Sequence, residues 1–574
     1  MPLLLQDFVP YQQSVLWRIH DAYFQTRSSA AWRSGEIPSF STSNYAFARQ
    51  VARFLIHLTT KWEASGQLRP TEPVWVWELG CGNGLFARNL LVALEHGCGP
   101  RGRALRARLQ LVLSDYAEVP VREALRVVQQ TDAQPVLPPI GALLDLRQPE
   151  ALRGLDGSPL TVGPVQLMIA SYLCCVLPVT WIYQTQLPQN LQPGQHSEVV
   201  EDPFSPDVQQ VFHGAATTQV NQPRYFTKYV RISADVVPTK HPAQTGEHYL
   251  QQLLAAPIPQ NQLAQLQTEL SFRPAELATL LPSPVHQRTL QRAVQGLTEA
   301  TVEYPSRFLD AVSALVPRLA PGGQLLVSDF GSHGQEGLRG QRVRGARLYG
   351  STLNHAVDFA LLEAYAHEVG LSIVRTSDPL RALHSACFSK SQDATVTVLF
   401  RRHLDVCSDG EDLVDFRQKG VEAMRATEFA RAGRFFARCL KLDPRSAELW
   451  LWLGRARLQA GALPHAERAL RKGQSLDPPR RPEFQRHLGQ VYAAQGQHLR
   501  ALRCLQYALQ HQPTAATYVD QAESLRALGR RQEALQACEQ ALALDEQDQS
   551  AEQLWMTLQA ELDRPAPPAS LPMT

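Results

Sequence analysis

An acid and three closely spaced glycines follow a short apolar segment early in the chain. Residues 74–77 are Val-Trp-Val-Trp, and Glu78, Gly80, Gly82 and Gly84 come next, before an amphipathic stretch. Glycines between a strand and a helix let a ligand approach the bare backbone, whose amides then donate hydrogen bonds. The dinucleotide turn has the spacing G-x-G-x-x-G, whereas here the third glycine comes two residues after the second. The pattern predicts a site for a nucleotide-containing ligand, with a purely structural turn as the alternative.

Further polar side chains follow other apolar segments. They are Asp115, Asp145 with Leu146, and Ser171, which follow the apolar segments 109–113, 141–144 and 165–170. A carboxylate accepts hydrogen bonds from two adjacent hydroxyls, so Asp115 is placed to hold a ribose. Ligands of open α/β sheets bind outside the carboxyl ends of the strands, which is where all these residues are expected.

These segments predict a doubly wound α/β domain over residues 71–402. Strands are expected at the segments named above and at 324–328, 371–376 and 394–400. Residues 1–70 are predicted to be mostly helical, with a helix over 45–58 that Ser43 or Asn44 caps. A Gln- and Pro-rich insertion at about 181–300 shows no repeating pattern of sheet strands. Within it, we expect an extended segment at 224–237, helices at 260–270 and 285–297, and disorder around 189–209.

A different pattern begins after a polar linker, residues 403–412. Small residues and prolines recur every 33 to 35 positions, as in the series Gly420, Gly454, Gly489 and the series Pro444, Pro478, Pro513. A period near 34 residues is the signature of tetratricopeptide (TPR) repeats, which are pairs of antiparallel helices. Residues 413–562 are therefore predicted to form an all-α TPR solenoid with a capping helix, followed by a Pro-rich tail at 563–574.

The segment from Glu78 to Gly84, E-x-G-x-G-x-G, resembles motif I of class I S-adenosylmethionine (SAM)-dependent methyltransferases. The resemblance implies a Rossmann-like seven-stranded sheet and SAM as the cofactor. It also implies that the glycines pass under the methionine part and the ribose, and that Glu78 orients the amino group. In that family an acid such as Asp145 accepts from the adenine amino group while its neighbour, here Leu146, packs on the ring. A helix cap is the alternative for Asp145.

Several blocks resemble the MidA-type branch of these methyltransferases. The matching blocks are Phe40-Ser-Thr42, Asp329-Phe-Gly331, Gly350-Ser-Thr352 and His355-Ala-Val-Asp358-Phe359. Mitochondrial members of that branch assist assembly of respiratory complex I and methylate arginine on a protein subunit. The resemblance therefore implies a protein acceptor, with an arginine side chain as its methylated group.

One block departs from the family pattern. The family has N-E-x-x-D-A-x-P after its fourth strand, whereas this chain has Ser-Tyr-Leu-Cys-Cys-Val-Leu-Pro over residues 171–178. Carboxylates are needed to orient a guanidinium, which stays cationic at physiological pH. Candidates for the missing catalytic groups are Asp329, His355 and Asp358, each with capping or another structural role as the alternative. Cys174 or Cys175 as a nucleophile is disfavoured against apolar packing.

Composition narrows the functional classes. The chain has 574 residues, 44% of them hydrophobic, and a formal net charge of +2, which gives no support for a nucleic-acid partner. Nine cysteines without a C-x-x-C spacing predict reduced thiols and no metal site. The first residues do not resemble a secretory signal, and no apolar stretch is long enough to span a membrane. We therefore expect a cytoplasmic protein.

Two hypotheses follow. The first is SAM-dependent methyl transfer to a protein acceptor, which the TPR repeats recruit as a protein or peptide bound in their groove. The alternative is a non-catalytic TPR adaptor or assembly factor whose SAM-binding domain is degenerate, as the missing acids would suggest.

Overall fold

The computed structural model describes residues 3–27, 40–186, 224–234, 246–255, 258, 262–340, 346–405, 409–476 and 481–562. The chain divides into two compact units, Met1–Ser408 and Asp409–Thr574. The segments predicted to be disordered at 189–209 and to form a Pro-rich tail at 563–574 lie outside the described residues.

The first unit contains the strands. They are β1 (Leu3–Pro10), β2 (Val74–Leu79), β3 (Leu109–Asp115), β4 (Ile140–Leu143), β5 (Arg153–Gly154), β6 (Val165–Ser171), β7 (Thr180–Thr185), β8 (Arg224–Ala234), β9 (Leu266–Ala275), β10 (Glu299–Tyr304), β11 (Leu319–Ser332), β12 (Arg347–Tyr349), β13 (Thr352–Asn354), β14 (Val357–Asp358), β15 (Ser372–Arg375) and β16 (Leu383–Ser389).

Helices of the first unit lie between these strands. They are α1 (Val15–Arg27), α2 (Phe40–Ser43), α3 (Tyr45–Ala64), α4 (Leu85–Val92), α5 (Gly99–Arg106), α6 (Glu118–Gln129), α7 (Gly246–Ala255), α8 (Leu277–Leu280), α9 (Pro284–Ala293), α10 (Ser306–Leu315), α11 (Phe359–Glu368) and α12 (Ala394–His403). The predicted cap of α3 is Asn44, whose Oδ1 accepts from Phe47 N at 2.8 Å.

The larger sheet has the strand order β15-β16-β11-β6-β2-β3-β4-β5. Strands β4, β3, β2, β6 and β11 run parallel, and β16 joins β11 antiparallel and pairs with β15. Strand β2 is buried on both faces, because Val74 and Val76 pack in one apolar layer and Trp77 and Leu79 in the other. A strand covered on both sides reads as a continuous apolar run, which is why the sequence predicted it. The order reverses at β2, so the carboxyl ends of β2 and β6 form a crevice.

A second sheet, which the sequence did not predict, lies outside that core. Its order is β1-β8-β7-β10, with β9 on β8, and all of these pairs are antiparallel. The extended segment predicted at 224–237 is strand β8 over residues 224–234, and the insertion also supplies β9. Residues 1–70 are mostly helical where they are described, as predicted, but they also contribute β1, which pairs with β8. The helix predicted at 260–270 is largely strand β9. Its Leu266, Thr268 and Leu270 are buried while Gln267 and Glu269 are exposed, a period of two that indicates a strand.

The strand predicted at 394–400 is also wrong, since these residues form helix α12. Asp393 caps the helix by accepting from the backbone nitrogen of Thr395 at 2.9 Å. The buried positions Val396, Leu399, Phe400 and His403 lie on one helical face. The β-branched run suggested a strand, but the cap and this spacing favour a helix. The final antiparallel pair is instead β15 with β16.

The second unit is entirely helical in the part of the chain that the structure describes. Its helices are α13 (Asp409–Arg425), α14 (Phe429–Leu442), α15 (Ala447–Gln459), α16 (Leu463–Leu476), α17 (Pro482–Ala494), α18 (His498–His511), α19 (Ala515–Ala527), α20 (Arg531–Leu544) and α21 (Gln549–Leu562). Consecutive helices pair as hairpins, and in the first three hairpins a glycine of the first helix packs against the second helix: Gly420, Gly454 and Gly489. In the second hairpin, for example, a Cβ at Gly454 would meet Leu470 Cδ2 at 2.5 Å. Within the described ranges of the whole chain, no helix has the length and apolar character needed to cross a membrane.

Candidate functional site

The glycine turn after β2 has a backbone that other residues adopt only with strain. Gly80, Gly82 and Gly84 have φ of 65°, 49° and 71°. A Cβ at Gly80 would collide with Leu173 Cδ2, and one at Gly84 would lie 2.6 Å from Ala124 Cα in α6. The first two glycines line a cavity, whereas Gly84 serves close packing between α4 and α6. The turn therefore combines ligand access with a structural requirement.

Glu78, at the carboxyl end of β2, is a buried acid with spare hydrogen-bonding capacity. Its Oε2 is buried and has no hydrogen-bond partner among the described residues. Burial, and then the negative charge of Asp115, raise the pKa of Glu78 well above its ordinary value. A buried carboxylate oxygen without a donor costs free energy, so a cationic or N–H donor in the cavity would relieve that cost.

Asp115 ends β3 on the same side of the sheet. Its Oδ2 accepts from Gly82 N at 3.3 Å and its Oδ1 from Ala117 N at 3.4 Å, both long contacts that leave acceptor capacity. Burial raises the pKa of Asp115 to about 6, although hydrogen bonds from backbone amides lower it. Asp115 therefore changes charge near neutral pH.

Asp145, after β4, is held by an arginine. Arg147 Nε lies 2.9 Å from Asp145 Oδ1, its Nη2 lies 2.8 Å from Oδ2, and its Nη1 reaches Asp21 Oδ2 at 2.5 Å. Burial alone would raise the pKa of Asp145, but the hydrogen bonds from Arg147 lower it on balance. The neighbouring Leu146 is buried and lines the cavity. Asp145 is thus an ionised member of an ion-pair cluster at the cavity wall.

The segment from the end of β6, residues 171–178, carries hydroxyl, apolar and thiol groups and no acid. Ser171 lines the cavity, and its Oγ is buried without a partner among the described residues. Tyr172 has φ of 55°, a left-handed conformation that is strained for a tyrosine. Cys174 and Cys175 are buried, and burial followed by the charge of Asp329 raises the pKa of both thiols well above the ordinary value. These thiols are therefore protonated and packed rather than poised as nucleophiles.

Asp329 and Asp358 form bonds within the protein. Asp329 accepts from Cys175 N at 3.1 Å and from Phe330 N at 2.9 Å, and burial raises its pKa to about 7. Asp358 accepts from the hydroxyl of Ser332. Among the described residues that line the cavity, neither of these carboxylates is found. Their contacts instead stabilise the chain around β11.

His355 lies in the cavity wall and belongs to a buried chain of polar groups. Its Nδ1 is 2.8 Å from Glu303 Oε1, and its Nε2 is 3.0 Å from the hydroxyl of Tyr11. Sequence reasoning missed Glu303 and Tyr11, because Glu303 lies on the second sheet, which was not predicted, and Tyr11 directly follows its strand β1. The local signal for Glu303 was weak: a single acid between apolar residues in β10.

A cavity of about 540 Å³ connects these groups. Of the residues selected from the sequence, its lining includes Glu78, Gly80, Gly82, Asp115, Asp145, Leu146, Ser171 and His355. The structure brings these together and leaves Gly84, Asp329 and Asp358, which are described, outside the lining. Glu303, Asn354 and Tyr349 complete the side formed by the second sheet and the segments near it. The volume is in the range of pockets that bind small molecules.

In the second unit, polar pairs connect successive repeats. Arg417 Nη2 in α13 lies 2.6 Å from Glu448 Oε1 in α15, and Arg486 Nε in α17 lies 2.7 Å from Asp520 Oδ2 in α19. Burial, and then the charge of Arg486, lower the pKa of Arg455. The first helices of the hairpins therefore share a polar face with several arginines.

Comparison with known proteins identifies this second region. One family model for the tetratricopeptide repeat matches residues 423–491, and another matches residues 486–551. No curated protein matches the chain. The region matched by these models consists of tetratricopeptide repeats, a class of helical repeat that typically binds protein partners.

Solved structures similar to the chain include TPR proteins. A MamA protein is 23% identical over 26% of this chain and 82% of its own, with a TM-score of 0.24. MamA from Desulfovibrio magneticus is 18% identical over 26% and 86%, with a TM-score of 0.24. A thermophilic TPR protein of Thermus thermophilus is 23% identical over 26% and 84%, with a TM-score of 0.25.

Proposed function

We propose that the first unit is a SAM-dependent methyltransferase that acts on a protein acceptor, and that the TPR repeats recruit this acceptor. The observation that carries the proposal is Glu78 Oε2, a buried acceptor without a partner among the described residues, beside a glycine turn that lines the cavity. The cavity lies at the carboxyl ends of β2, β3 and β6, where the strand order reverses. Both features are those that the resemblance implies for a SAM site.

The residues present fit that cofactor. Glu78 Oε2 would accept from its amino group, and Asp115 from its ribose hydroxyls. The unpartnered Ser171 Oγ offers a further polar contact, and Leu146 an apolar surface for the adenine ring. Asp145, which the resemblance assigns to the adenine amino group, already accepts from Arg147 at both of its oxygens. When bound, SAM would supply an electrophilic methyl group on a sulfonium, so the protein mainly has to orient the acceptor and exclude water.

The strand arrangement supports the same proposal. Five parallel strands with an antiparallel strand β16 beside β11 match the terminal antiparallel pair expected of a Rossmann-like methyltransferase domain. The TPR groove would hold a protein or peptide that carries the methylated side chain, an arginine by the MidA-type resemblance. The competing function is a non-catalytic adaptor, which the apolar segment from Ser171 to Cys175 favours.

Calorimetric titration of the full chain with SAM tests the first step. We expect binding by the wild type and none by Gly80→Arg, because that side chain would enter the turn at Leu173. Gly66→Arg is the matched control. Gly66 also has a positive φ, 71°, but it has no neighbour within 4 Å for an added Cβ and lies away from the cavity. Absence of binding by the wild type at millimolar SAM would contradict the proposal.

Tritiated SAM with cell lysate separates the enzyme from the adaptor. A methyltransferase labels a protein band, and the band disappears with Gly80→Arg but persists with Gly66→Arg. A wild-type chain that binds SAM and labels no band supports the adaptor instead. Deletion of the TPR region is expected to reduce labelling of that protein more than SAM binding, because the repeats recruit the acceptor.

A further inference from the structure

We propose that Glu303 holds the methyl acceptor, and that the acceptor group is a cationic nitrogen side chain, guanidinium or ammonium. This proposal rests on the proposed function, and it assigns to the second sheet the acid that residues 171–178 lack. Glu303 is 3% exposed and lines the cavity that contains the glycine turn. One oxygen of its carboxylate is hydrogen-bonded to His355, and the other has no hydrogen-bond partner among the described residues.

The unbonded oxygen, Oε2, has no hydrogen-bond partner among the described residues. An ionised carboxylate at such a buried position loses its hydration, and only a donor can compensate that loss. A cationic N–H group inside the cavity provides both a proton to share and an opposite charge. The site is therefore suited to a cation, and poorly suited to a neutral group of the same shape.

The bonded oxygen, Oε1, is fixed by a chain of two residues. His355 Nδ1 lies 2.8 Å from it, and the hydroxyl of Tyr11 lies 3.0 Å from His355 Nε2. With Glu303 ionised, Nδ1 donates to the carboxylate and Nε2 accepts from the tyrosine hydroxyl. The ring of Trp17 packs beside His355, with centroids 5.6 Å apart. His355 and Tyr11 are positioning residues that orient the carboxylate and leave Oε2 for a ligand.

The other carboxylates in the described cavity lining lie in other parts of the cavity. Glu78 and Asp115 lie at the glycine turn, while Asp21 and Asp145 share the guanidinium of Arg147. Glu303 is the remaining acid in the described lining, and it comes from a different sheet. The cavity thus has a cofactor side on the first sheet and an acceptor side on the second.

The reaction also needs a proton acceptor. Methyl transfer to a cationic nitrogen forms an N–C bond and breaks the S–C bond, whose electron pair stays on sulfur. The nitrogen loses one proton, so its charge is +1 before and after the step. Glu303 Oε2, bonded to that N–H, receives the proton and later releases it to water. The same carboxylate thereby orients the acceptor and acts as its general base.

Binding of small probes to the full chain tests this assignment without turnover. The chain is saturated with S-adenosylhomocysteine, which has no methyl to transfer, and titrated with the N-acetyl methylamides of arginine, lysine and citrulline. Citrulline has the shape of arginine without the charge. We expect the wild type to bind at least one cationic probe about tenfold more tightly than citrulline, as one charge-assisted hydrogen bond would give. The arginine and lysine arms show whether guanidinium or ammonium is preferred.

Two glutamine variants on the same strand localise the preference. For Glu303→Gln, we expect the Kd of the citrulline probe divided by the Kd of the cationic probe to fall to about two or less. The reason is that an uncharged amide replaces the charge-assisted contact. Glu299→Gln is the matched control, because Glu299 bonds to Tyr183 at 2.5 Å and does not line the described cavity. It should keep the wild-type ratio. No preference for either cation in the wild type, or a preference that survives in Glu303→Gln, would overturn the assignment.

The design separates this proposal from the proposed function. S-adenosylhomocysteine affinity is measured first for each variant, and Glu303→Gln should keep it within about threefold, because that residue lies on the acceptor side. If the chain binds no S-adenosylhomocysteine, the methyltransferase proposal fails. The probe titrations are also performed without it, so the cation preference is still decided. If Glu303→Gln does not fold, the wild-type comparison of arginine and lysine with citrulline still tests the cationic class of the acceptor, and no preference for a cation would overturn the proposal.

Discussion

Asp115 and Gly82 connect two neighbouring strands at the cavity. The carboxylate Oδ2 at the end of β3 accepts from the backbone nitrogen of Gly82, 3.3 Å away, in the turn that follows β2. The acid that would hold the ribose therefore also holds the turn that would pass under it. A change at Asp115 should affect both the ligand and the shape of the turn.

Asp115→Asn is expected to lower SAM affinity by about 10- to 100-fold, because two charge-assisted hydrogen bonds become neutral or are lost. Isothermal calorimetry on the full chain measures the change in Kd. Asp156→Asn is the control, since Asp156 bonds to Ser158 at 2.6 Å in a turn away from the cavity. Equal Kd values for the wild type and Asp115→Asn would contradict the ribose assignment.

The same residue predicts how stability depends on pH. Burial raises the pKa of Asp115 from 3.8 to about 6. Between about pH 4 and pH 6 the folded chain keeps a proton that the unfolded chain has released, so the free energy of unfolding falls as pH rises. A difference of about two pKa units corresponds to about 3 kcal/mol. Urea unfolding of the first unit at pH 4.5 and 7 should show a smaller decline in Asp115→Asn. Identical declines in both proteins would contradict the pKa shift.

Thiol labelling distinguishes packed cysteines from a nucleophile. Burial raises the pKa of Cys174 and Cys175 well above the ordinary value, whereas Cys98 and Cys504 are partly exposed. In the native protein, an aromatic disulfide reagent should label Cys98 and Cys504 first and the buried pair only after unfolding. Mass spectrometry of the labelled peptides identifies each site. Rapid labelling of Cys174 or Cys175 would restore the cysteine alternative.

Local signals explain what the sequence could predict. The apolar run of β2 and the glycines after it are contiguous, and the positive φ of Gly80 is a requirement of the turn itself. The TPR period was visible because each hairpin repeats the same small residues at close helix contacts. The cap of α3 by Asn44 was likewise within one turn of the helix that it begins.

Long-range pairing explains what the sequence could not predict. Glu303 enters the cavity because β10 pairs with β7, with Glu303 opposite Trp181. His355 meets Tyr11 because the start of the chain joins the second sheet through β1 and β8. No local pattern records such pairings, so Glu303 and Tyr11 were missed, although His355 was selected from the sequence. Strand β9 had a period of two, but its short alternation was outweighed by residues that also suit a helix.

Two glycines in the TPR region are expected to change the free energy of unfolding in opposite directions when each is replaced by alanine. Gly454 in α15 faces Leu470, which is fully buried, and an added Cβ would lie 2.5 Å from its Cδ2. Gly433 in α14 has its nearest neighbour, Ala456 Cβ, at 4.0 Å. The sequence period marks Gly454 and not Gly433, so the two positions separate the repeat's packing requirement from the general effect of glycine in a helix.

Gly454→Ala should reduce the free energy of unfolding by about 1–3 kcal/mol, because overpacking at Leu470 exceeds the gain in helix propensity. Gly433→Ala should instead increase it by about 0.5–1 kcal/mol, since an alanine there restricts the unfolded chain without a clash. Amide hydrogen exchange of helices α14 to α16 in the full chain measures both changes locally. Stabilisation by Gly454→Ala would show that the helices can separate to accept a methyl group. The glycine recurring at this position would then not be required by the contact between paired helices.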